Sequence, residues 1–292
     1  MLKDNKLYYV GGVVRDEILG VSSFDTDFCY EGDAIKFAEE NGLNVIKTNP
    51  DFGTVRVIYE NKEIDIASTR TETYPKKGHL PKVGNIGCSL KEDLIRRDFT
   101  VNAMAKRTTD GEFVDYFGGL DDLKNKKLRI LHEKSFEDDP TRIIRGLKFS
   151  VRFGFELSDK TMDLQNKYLS NINYDMSYHR IRKELIETFN LNRADAFDKF
   201  VGEGIFKLLG KEVKAPVIKG DDIWRVVKDV KSDFIWLFYL APFVEQGFDL
   251  NVIYPQKSEK RIMEWVNRLK TQAPVNNTPY ESIIIRRVLD NA

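Results

Sequence analysis

Short apolar runs broken by glycine and polar turns dominate the first 130 or so residues; a helical rhythm takes over afterwards. Leu7 to Val10 reads as a strand running into Gly11-Gly12, and Arg15 to Leu19 as a helix with Gly20 as its C-cap. Phe24 to Tyr30 alternates, placing Asp25, Asp27 and Cys29 on one face and Phe24, Thr26, Phe28 and Tyr30 on the other. Asp33 to Asn41 fits a helix capped by Asp33 and stopped by Gly42. Thr54 to Tyr59 and Glu63 to Ser68 fit two strands joined by a tight polar turn, with Glu63, Asp65 and Ala67 sharing a face. The polar stretch Thr69 to Asn85, punctuated by Pro75, Gly78, Pro81 and Gly84, reads as a long functional or mobile loop. Lys91 to Arg96 is a predicted helix, and Gly111 to Tyr116 a strand broken by Gly118-Gly119. Residues 1 to about 130 therefore form an α/β head.

Beyond Ser135, Pro140 sits at a helix start with Asp139 as cap, and Ile143, Ile144, Leu147 and Val151 form an apolar stripe. Further helices are predicted at Tyr178 to Phe189, Ala194 to Glu203, Asp222 to Val230, Ser232 to Leu240 and Ser258 to Leu269. The chain shows no internal repeat and no low-complexity segment.

Composition narrows the picture mainly by exclusion. Lys plus Arg and Asp plus Glu both total 46 in 292 residues, so global charge gives no sign of nucleic-acid binding, although a local basic patch survives such averaging. Cys29 and Cys88, without a CxxC pair and with three scattered histidines, argue against zinc and against a disulfide framework. A reducing compartment fits, and with no apolar signal core or membrane-length run the expectation is a cytoplasmic protein.

The chemistry concentrates near the N-terminus. Gly11 and Gly12 let backbone approach a phosphate closely, and Arg15 puts fixed charge beside them. A glycine pair alone is usually a turn, and a lone Asp-x-Asp is common in surface loops. Asp25 and Asp27, however, stand at strand spacing inside an apolar run, where two unpaired carboxylates on one face repel and lose hydration. A bound Mg²⁺ offsets that cost. A two-metal site also needs a third acidic group near the attacking hydroxyl. Asp65 is the favoured residue, with Glu63 two positions away as the alternative.

Two later segments add recognition chemistry. In Arg96-Arg97-Asp98-Phe99-Thr100-Val101-Asn102, Arg97 suits phosphate or base contact and Asn102 an amide donor near a nucleotide; the plainer account is a charged helix and turn with Arg96 and Asp98 as local partners. Asp139, Arg142 and Arg145 recur every three residues and project in neighbouring directions, although Asp139 also serves as a plain helix cap. A carboxylate accepting from an exocyclic amino group, beside an arginine donating to the ring, takes cytosine or adenine and refuses uracil or guanine.

Together, Gly11-Gly12-x-Val14-Arg15-Asp16, Asp25-x-Asp27, the strand around Asp65, Arg96-Arg97-Asp98-Phe99-Thr100-x-Asn102-Ala103 and Asp139-x-x-Arg142-x-x-Arg145 resemble, in order, the motifs of class II tRNA nucleotidyltransferases and bacterial poly(A) polymerases. The resemblance spans roughly residues 8 to 155. It implies an α+β chain: a nucleotidyltransferase head of small mixed sheet and helices (1–130), then an all-α neck that selects the base (131–168) and a helical body and tail that bind RNA (169–292). Carried over by position, it implies Asp25 and Asp27 as Mg²⁺ ligands for two ions and Asp65 as third catalytic carboxylate. Gly12 and Arg15 would contact the triphosphate, and Arg97, Asn102, Asp139, Arg142 and Arg145 would form the nucleotide set. Lys148 stands where many members have another arginine, keeping the charge but losing the fork.

The implied reaction is addition of C and/or A from CTP or ATP to the 3′ end of tRNA, releasing pyrophosphate. The loop Thr69 to Asn85 looks like the family's flexible loop associated with A addition. A poly(A) polymerase and an A-only tRNA enzyme remain open alternatives. Nucleotide transfer to a small molecule is disfavoured by the neck motif, and an inactive RNA-binding relative by the intact Asp25 and Asp27.

Overall fold

The computed structural model describes residues 2–22 and 26–290. The chain divides into two units: residues up to Asp138 with Glu156–Thr161, and Asp139–Phe155 with the chain from Met162 on. The stretch 131–168 is thus shared between the two.

The first unit contains β1 (Leu7–Val10), α1 (Gly12–Leu19), β2 (Asp27–Tyr30), α2 (Ala34–Glu40), β3 (Asn44–Asn49), β4 (Thr54–Tyr59) and β5 (Lys62–Ser68). After these come β6 (Arg70–Thr73), β7 (Lys82–Ile86), α3 (Leu90–Ile95), β8 (Met104–Arg107), β9 (Phe113–Asp115), α4 (Gly119–Lys124), β10 (Lys127–Leu128) and α5 (Ser135–Asp138). A mixed sheet runs β3-β4-β5-β2-β1-β8-β9, antiparallel throughout except where β2 lies parallel to β5.

Alternation along the strands builds a core on each face of this sheet. Leu7, Phe28, Val55, Val57 and Ile66 pack with Ala34, Phe37 and Ala38 of α2. Tyr8, Val10 and Cys29 face the other way and pack with Leu90 and Leu94 of α3. Helix α2 begins where the Asp33 carboxylate accepts from the amides of Ile35 and Lys36. Helix α3 opens on a reciprocal capping box between Ser89 and Glu92.

Several elements differ from the sequence reading. The stretch expected to be a loop from Thr69 to Asn85 carries an antiparallel ribbon, β6 paired with β7, with a long turn between them. Its strands are too polar and glycine-broken to show a period of two, and the Thr71 hydroxyl supports the pairing by accepting from the Asn85 amide. Its turn is held at Lys77, which pairs with the Asp138 carboxylate, and at Gly78, whose amide donates to the Asp138 carbonyl (3.1 Å). Helix α1 starts at Gly12, three residues earlier than expected. The polar edge strand β3 and the short β8 carried too little pattern to be seen.

The second unit contains α6 (Thr141–Phe153), α7 (Asp159–Leu169, which begins in the first unit), α8 (Tyr178–Phe189), α9 (Ala194–Gly202), α10 (Gly220–Val227), α11 (Ile235–Glu245), α12 (Lys257–Arg268) and α13 (Tyr280–Asp290); β11 (Glu156–Leu157) belongs to the first unit and pairs there with β10. Helix α11 is apolar all round because it is the buried centre: its residues from Ile235 to Phe243 are all buried. Phe189 stacks on Tyr239 (5.5 Å between ring centroids) and meets Phe200 edge-on. Predicted α11 stopped at Leu240; the helix continues through Pro242, which forfeits one backbone hydrogen bond inside an otherwise closed core. Among the described residues, no helix is long and apolar enough to cross a membrane.

Candidate active site

In the first unit the parallel pairing of β2 and β5 decides the site. Its register places Asp27 directly beside Asp65. Antiparallel pairing of β4 and β5 then places Arg56 beside Asp65. Arg56 grips that carboxylate through both forks, Nε to Oδ1 and Nη2 to Oδ2, each at 2.8 Å. Glu63 stands 3.8 Å from Arg56 Nη1 and, unlike Asp65, does not line the cleft.

That cleft, about 450 Å³, is walled by Asp27, Asp65, Lys47, Arg56, Arg70, Arg96 and Arg97 along with backbone of the central strands. Five cations over two carboxylates suit a polyphosphate that arrives with a divalent cation. Asp27 and Asp65 supply hard oxygen donors about 4.8 Å apart at the backbone, the spacing of neighbouring strands, which fits Mg²⁺. Among the described residues no group of three acidic, histidine or cysteine side chains stands ready to hold an ion alone. Mg²⁺ ordinarily takes only one or two carboxylates, completing its shell with water and substrate phosphate. Asp25, the other expected ligand, lies outside the described residues.

The cationic wall is set by a buried carboxylate that the sequence reading passed over. Asp93, fully buried in α3, accepts from Arg96 Nη2 (2.7 Å) and Nε (3.0 Å), Arg97 Nη2 (3.1 Å) and the Arg70 amide (3.1 Å). Glu72, nearly buried, joins Arg70 and Arg96 at 2.9 Å each. Burial pushes the Asp93 carboxyl up, but Arg97 and Arg96 outweigh it and hold the group below the ordinary aspartate value. The spacing of Asp93 to Arg96 and Arg97 at three and four residues was the available signal. Arg97 Nε is buried with no hydrogen-bond partner among the described residues. An orphaned guanidinium donor at the cleft wall is what an oxyanion would satisfy.

Gly11 explains the approach to Arg97. Its φ of +71° is left-handed, and a Cβ there would meet Arg97 Nη1 at 3.0 Å. Gly12 follows as the first residue of α1, and a Cβ on it would lie 3.4 Å from Arg15 Nη2. Arg15 and Asn102 do not line the cleft. Arg15 is buried, paired with Asp16 (2.7 Å) and donating to Asn102 Oδ1 (2.5 Å), while Asn102 donates to Asp98 (2.9 Å). These residues form an internal network fixing the glycine turn to the Asp98–Asn102 segment.

The second unit carries the other expected set. Helix α6 starts at Thr141, one residue later than predicted, and the Asp139 carboxylate accepts from the Thr141 amide (3.2 Å) and hydroxyl (2.5 Å). Asp139 therefore steadies the helix start from one residue outside the cap position, which Pro140 occupies. The same carboxylate meets Arg180 of α8 at 2.5 Å and Arg142 Nε at 3.9 Å. One turn further along α8, Glu184 accepts from Arg145 (3.2 Å) and Lys148 (2.8 Å). Arg145 also lies over the Phe149 ring, 5.5 Å from its centroid. Asp139, Arg142, Arg145 and Lys148 do share one neighbourhood, and Arg180 and Glu184 of α8, neither foreseen, hold it. Their spacing of four was visible in Tyr178 to Phe189, but nothing local tied it to Asp139.

Residues 7–129 match the poly A polymerase head domain family. The chain is 49% identical over 166 residues to an A-adding tRNA nucleotidyltransferase of Aquifex aeolicus, a match covering 54% of this chain and 20% of that protein. It is 35% identical over 250 residues to an A-adding tRNA nucleotidyltransferase of Geobacter sulfurreducens, covering 82% of this chain and 28% of the other. The chain thus spans well under half the length of either relative. Among solved structures, a CCA-adding enzyme in an apo form superposes with a TM-score of 0.80 at 27% identity, over 97% of this chain and 75% of that one. The Thermotoga maritima CCA-adding enzyme complexed with tRNA-CCA superposes with a TM-score of 0.75 at 26% identity, over 97% and 74%.

Proposed function

We propose that the chain is a member of the class II tRNA nucleotidyltransferase and bacterial poly(A) polymerase family and that it adds A to the 3′ end of tRNA from ATP, a reading supported by the head-domain match, the A-adding relatives and the structural likeness to CCA-adding enzymes. The observation that carries the chemistry is the in-register pair Asp27 and Asp65 on the floor of a cationic cleft. The choice of A is supported by the A-adding relatives at 49% and 35% identity. A second reading, addition of both C and A, is favoured by the structural likeness to CCA-adding enzymes.

In the proposed reaction the RNA 3′-hydroxyl attacks the α-phosphate of the nucleotide, and pyrophosphate leaves. Mg²⁺, held by Asp25 and Asp27 with substrate oxygens, would supply charge neutralisation at the phosphates and acidify the hydroxyl. Asp65 takes the hydroxyl side, where its carboxylate accepts the proton-bearing oxygen's hydrogen bond. Arg97, anchored by Asp93, faces the triphosphate with its unpaired Nε, and the Gly11-Gly12 turn lets backbone come close. Arg15 and Asn102 hold that turn in place from behind. Asp139 and Arg142 read the base, accepting from the adenine amino group and donating to its ring nitrogen. Arg145 and Lys148 supply charge beside them. The division into head (1–130), base-selecting neck (131–168) and RNA-binding body (169–292) belongs to this proposal, as does a cytoplasmic setting, where tRNA ends are built.

Incubating the protein with Mg²⁺, each labelled nucleotide singly, and tRNAs ending before CCA, after C or after CC tests the assignment. ATP incorporation only after CC is expected. CTP incorporation onto the shorter tRNAs would select the second reading, and long A tails on unrelated RNA would select a poly(A) polymerase.

A further inference from the structure

The row of side chains containing Asp27 and Asp65 does not end at the carboxylates. Asp27 is in register with Asp65, Asp65 with Arg56, and Arg56 with Lys47 on the edge strand β3. In-register neighbours on adjacent strands present their side chains to the same face, and all four line the one cleft. The sheet therefore lays out two carboxylates followed by two cations in a line across β2, β5, β4 and β3. The remaining cations of the cleft, Arg70, Arg96 and Arg97, are held together by Asp93 and Glu72, and Gly11 abuts Arg97.

A displacement at phosphorus needs its nucleophile opposite its leaving group, so the two cation sets have different duties. The Arg97 side, with the glycine turn, takes the triphosphate. We infer that Lys47 and Arg56 form the acceptor subsite, binding the phosphodiester just upstream of the RNA 3′-terminal nucleotide; this rests on the proposed RNA 3′-end transfer. Lys47 is suited to it, because its side chain is exposed and has no ion-pair or hydrogen-bond partner among the described residues. Arg56 spends Nε and one Nη on Asp65 and turns its other Nη toward Glu63 at 3.8 Å, a contact loose enough for a phosphate to replace. Arg56 thereby links the acceptor backbone to the carboxylate that meets the attacking hydroxyl. Sequence specificity is not expected from this pair, since backbone contacts position rather than specify.

The test measures binding of fluorescently labelled RNA ending in CC across about 50 to 200 mM salt, and steady-state KM for RNA and for ATP separately. Lys47→Ala is expected to raise the acceptor Kd and KM by about five- to tenfold at low salt and to flatten the log–log salt slope by about 0.7, one single-strand phosphate contact. KM for ATP stays unchanged, and Lys47→Arg restores acceptor binding. Arg56→Lys keeps most acceptor affinity but lowers kcat, because Asp65 loses its fork. Lys47 and Arg56 both carry exposed side chains, so these variants fold, which circular dichroism verifies.

A raised KM for ATP with unchanged acceptor binding would overturn the inference, as would no change in any of these quantities. If the wild-type protein transfers no nucleotide yet binds RNA with the Lys47-dependent slope, the reaction assignment falls and the subsite stands. Transfer with an acceptor KM indifferent to Lys47 leaves the reaction and removes the subsite. Neither transfer nor Lys47-dependent binding removes both.

Discussion

Asp93 should be among the most sensitive single positions in the head, although it touches neither metal nor substrate. Replacing it by alanine strands three partners at once: Arg96, which it meets at 2.7 and 3.0 Å, Arg97 at 3.1 Å, and the Arg70 amide. Removing one member of a buried charge pair leaves an uncompensated charge and costs about 3–5 kcal/mol. Glu72 still pairs with Arg96 and Arg70, so the loss falls toward the lower end of that range. A loss of about 3 kcal/mol lowers the melting temperature by roughly 6–12 °C, taking about 2–4 °C per kcal/mol for units of this size. Urea denaturation of wild type, Asp93→Ala and Asp93→Asn gives the stability difference, and ATP binding in the surviving folded fraction reads the second effect. The asparagine variant keeps one acceptor oxygen and is expected to lose about half as much. Both variants should weaken ATP binding, because Arg97 loses the contact that aims it. A stability change under about 1 kcal/mol for the alanine variant would mean that water or Glu72 already compensates the cluster, and the account of the cationic wall would fail.

Further outcomes follow from the same geometry. Asp27→Ala and Asp25→Ala should each abolish incorporation with the fold intact, whereas Glu63→Ala should keep most activity that Asp65→Ala loses; equal losses at 63 and 65 would reopen the choice of third carboxylate. Arg180→Ala, by freeing the Asp139 carboxylate, should relax discrimination against GTP and UTP more than it changes kcat, as should Asp139→Ala; unchanged nucleotide ratios would reduce both residues to structural roles. Because the Asp93 carboxyl is held below its unfolded value of about 3.9, its contribution is fully present above that pH and is lost as pH falls through the folded value. Acid titration of the head should therefore show a stability loss beginning near pH 4 that Asp93→Asn lacks. Burial pushes the Cys88 thiol up to about 11 and the Cys29 thiol higher still. Neither should react appreciably with a thiol reagent near neutral pH until the head unfolds, and rapid labelling of the native protein at Cys29 would contradict its burial.

What the sequence displayed depended on whether a residue's partner was near it in the chain. Asp33 as a helix cap, the strand Thr54–Tyr59 and the helix Tyr178–Phe189 were legible because local periodicity and capping define them. The β6–β7 ribbon was not, since its polar strands are ordered by each other and not by an apolar face. The same division runs through the site. Asp65 could be preferred over Glu63 only weakly from strand spacing; the parallel register with Asp27, which brings together strands separated by α2, β3 and β4, is a property of topology. Arg15 and Asn102 had the right chemistry for a nucleotide, and the fold spends that chemistry on each other.

Gly11 sits at φ +71° where a Cβ would come within 3.0 Å of the Arg97 guanidinium, so no larger residue fits there, and the fold anchors both sides of that approach. Asp93 fixes Arg97 from the α3 side. The Arg15–Asn102–Asp98 chain fixes the glycine turn to the segment that follows α3. The two anchors meet through three consecutive residues, Arg96, Arg97 and Asp98, of which the first two point to Asp93 and the third to Asn102. The value of the arginine pair followed by an aspartate thus lies in binding the α3 cluster to the glycine turn. Of the three, Arg97 keeps a buried donor with no partner among the described residues, which suits it to the phosphate contact proposed above.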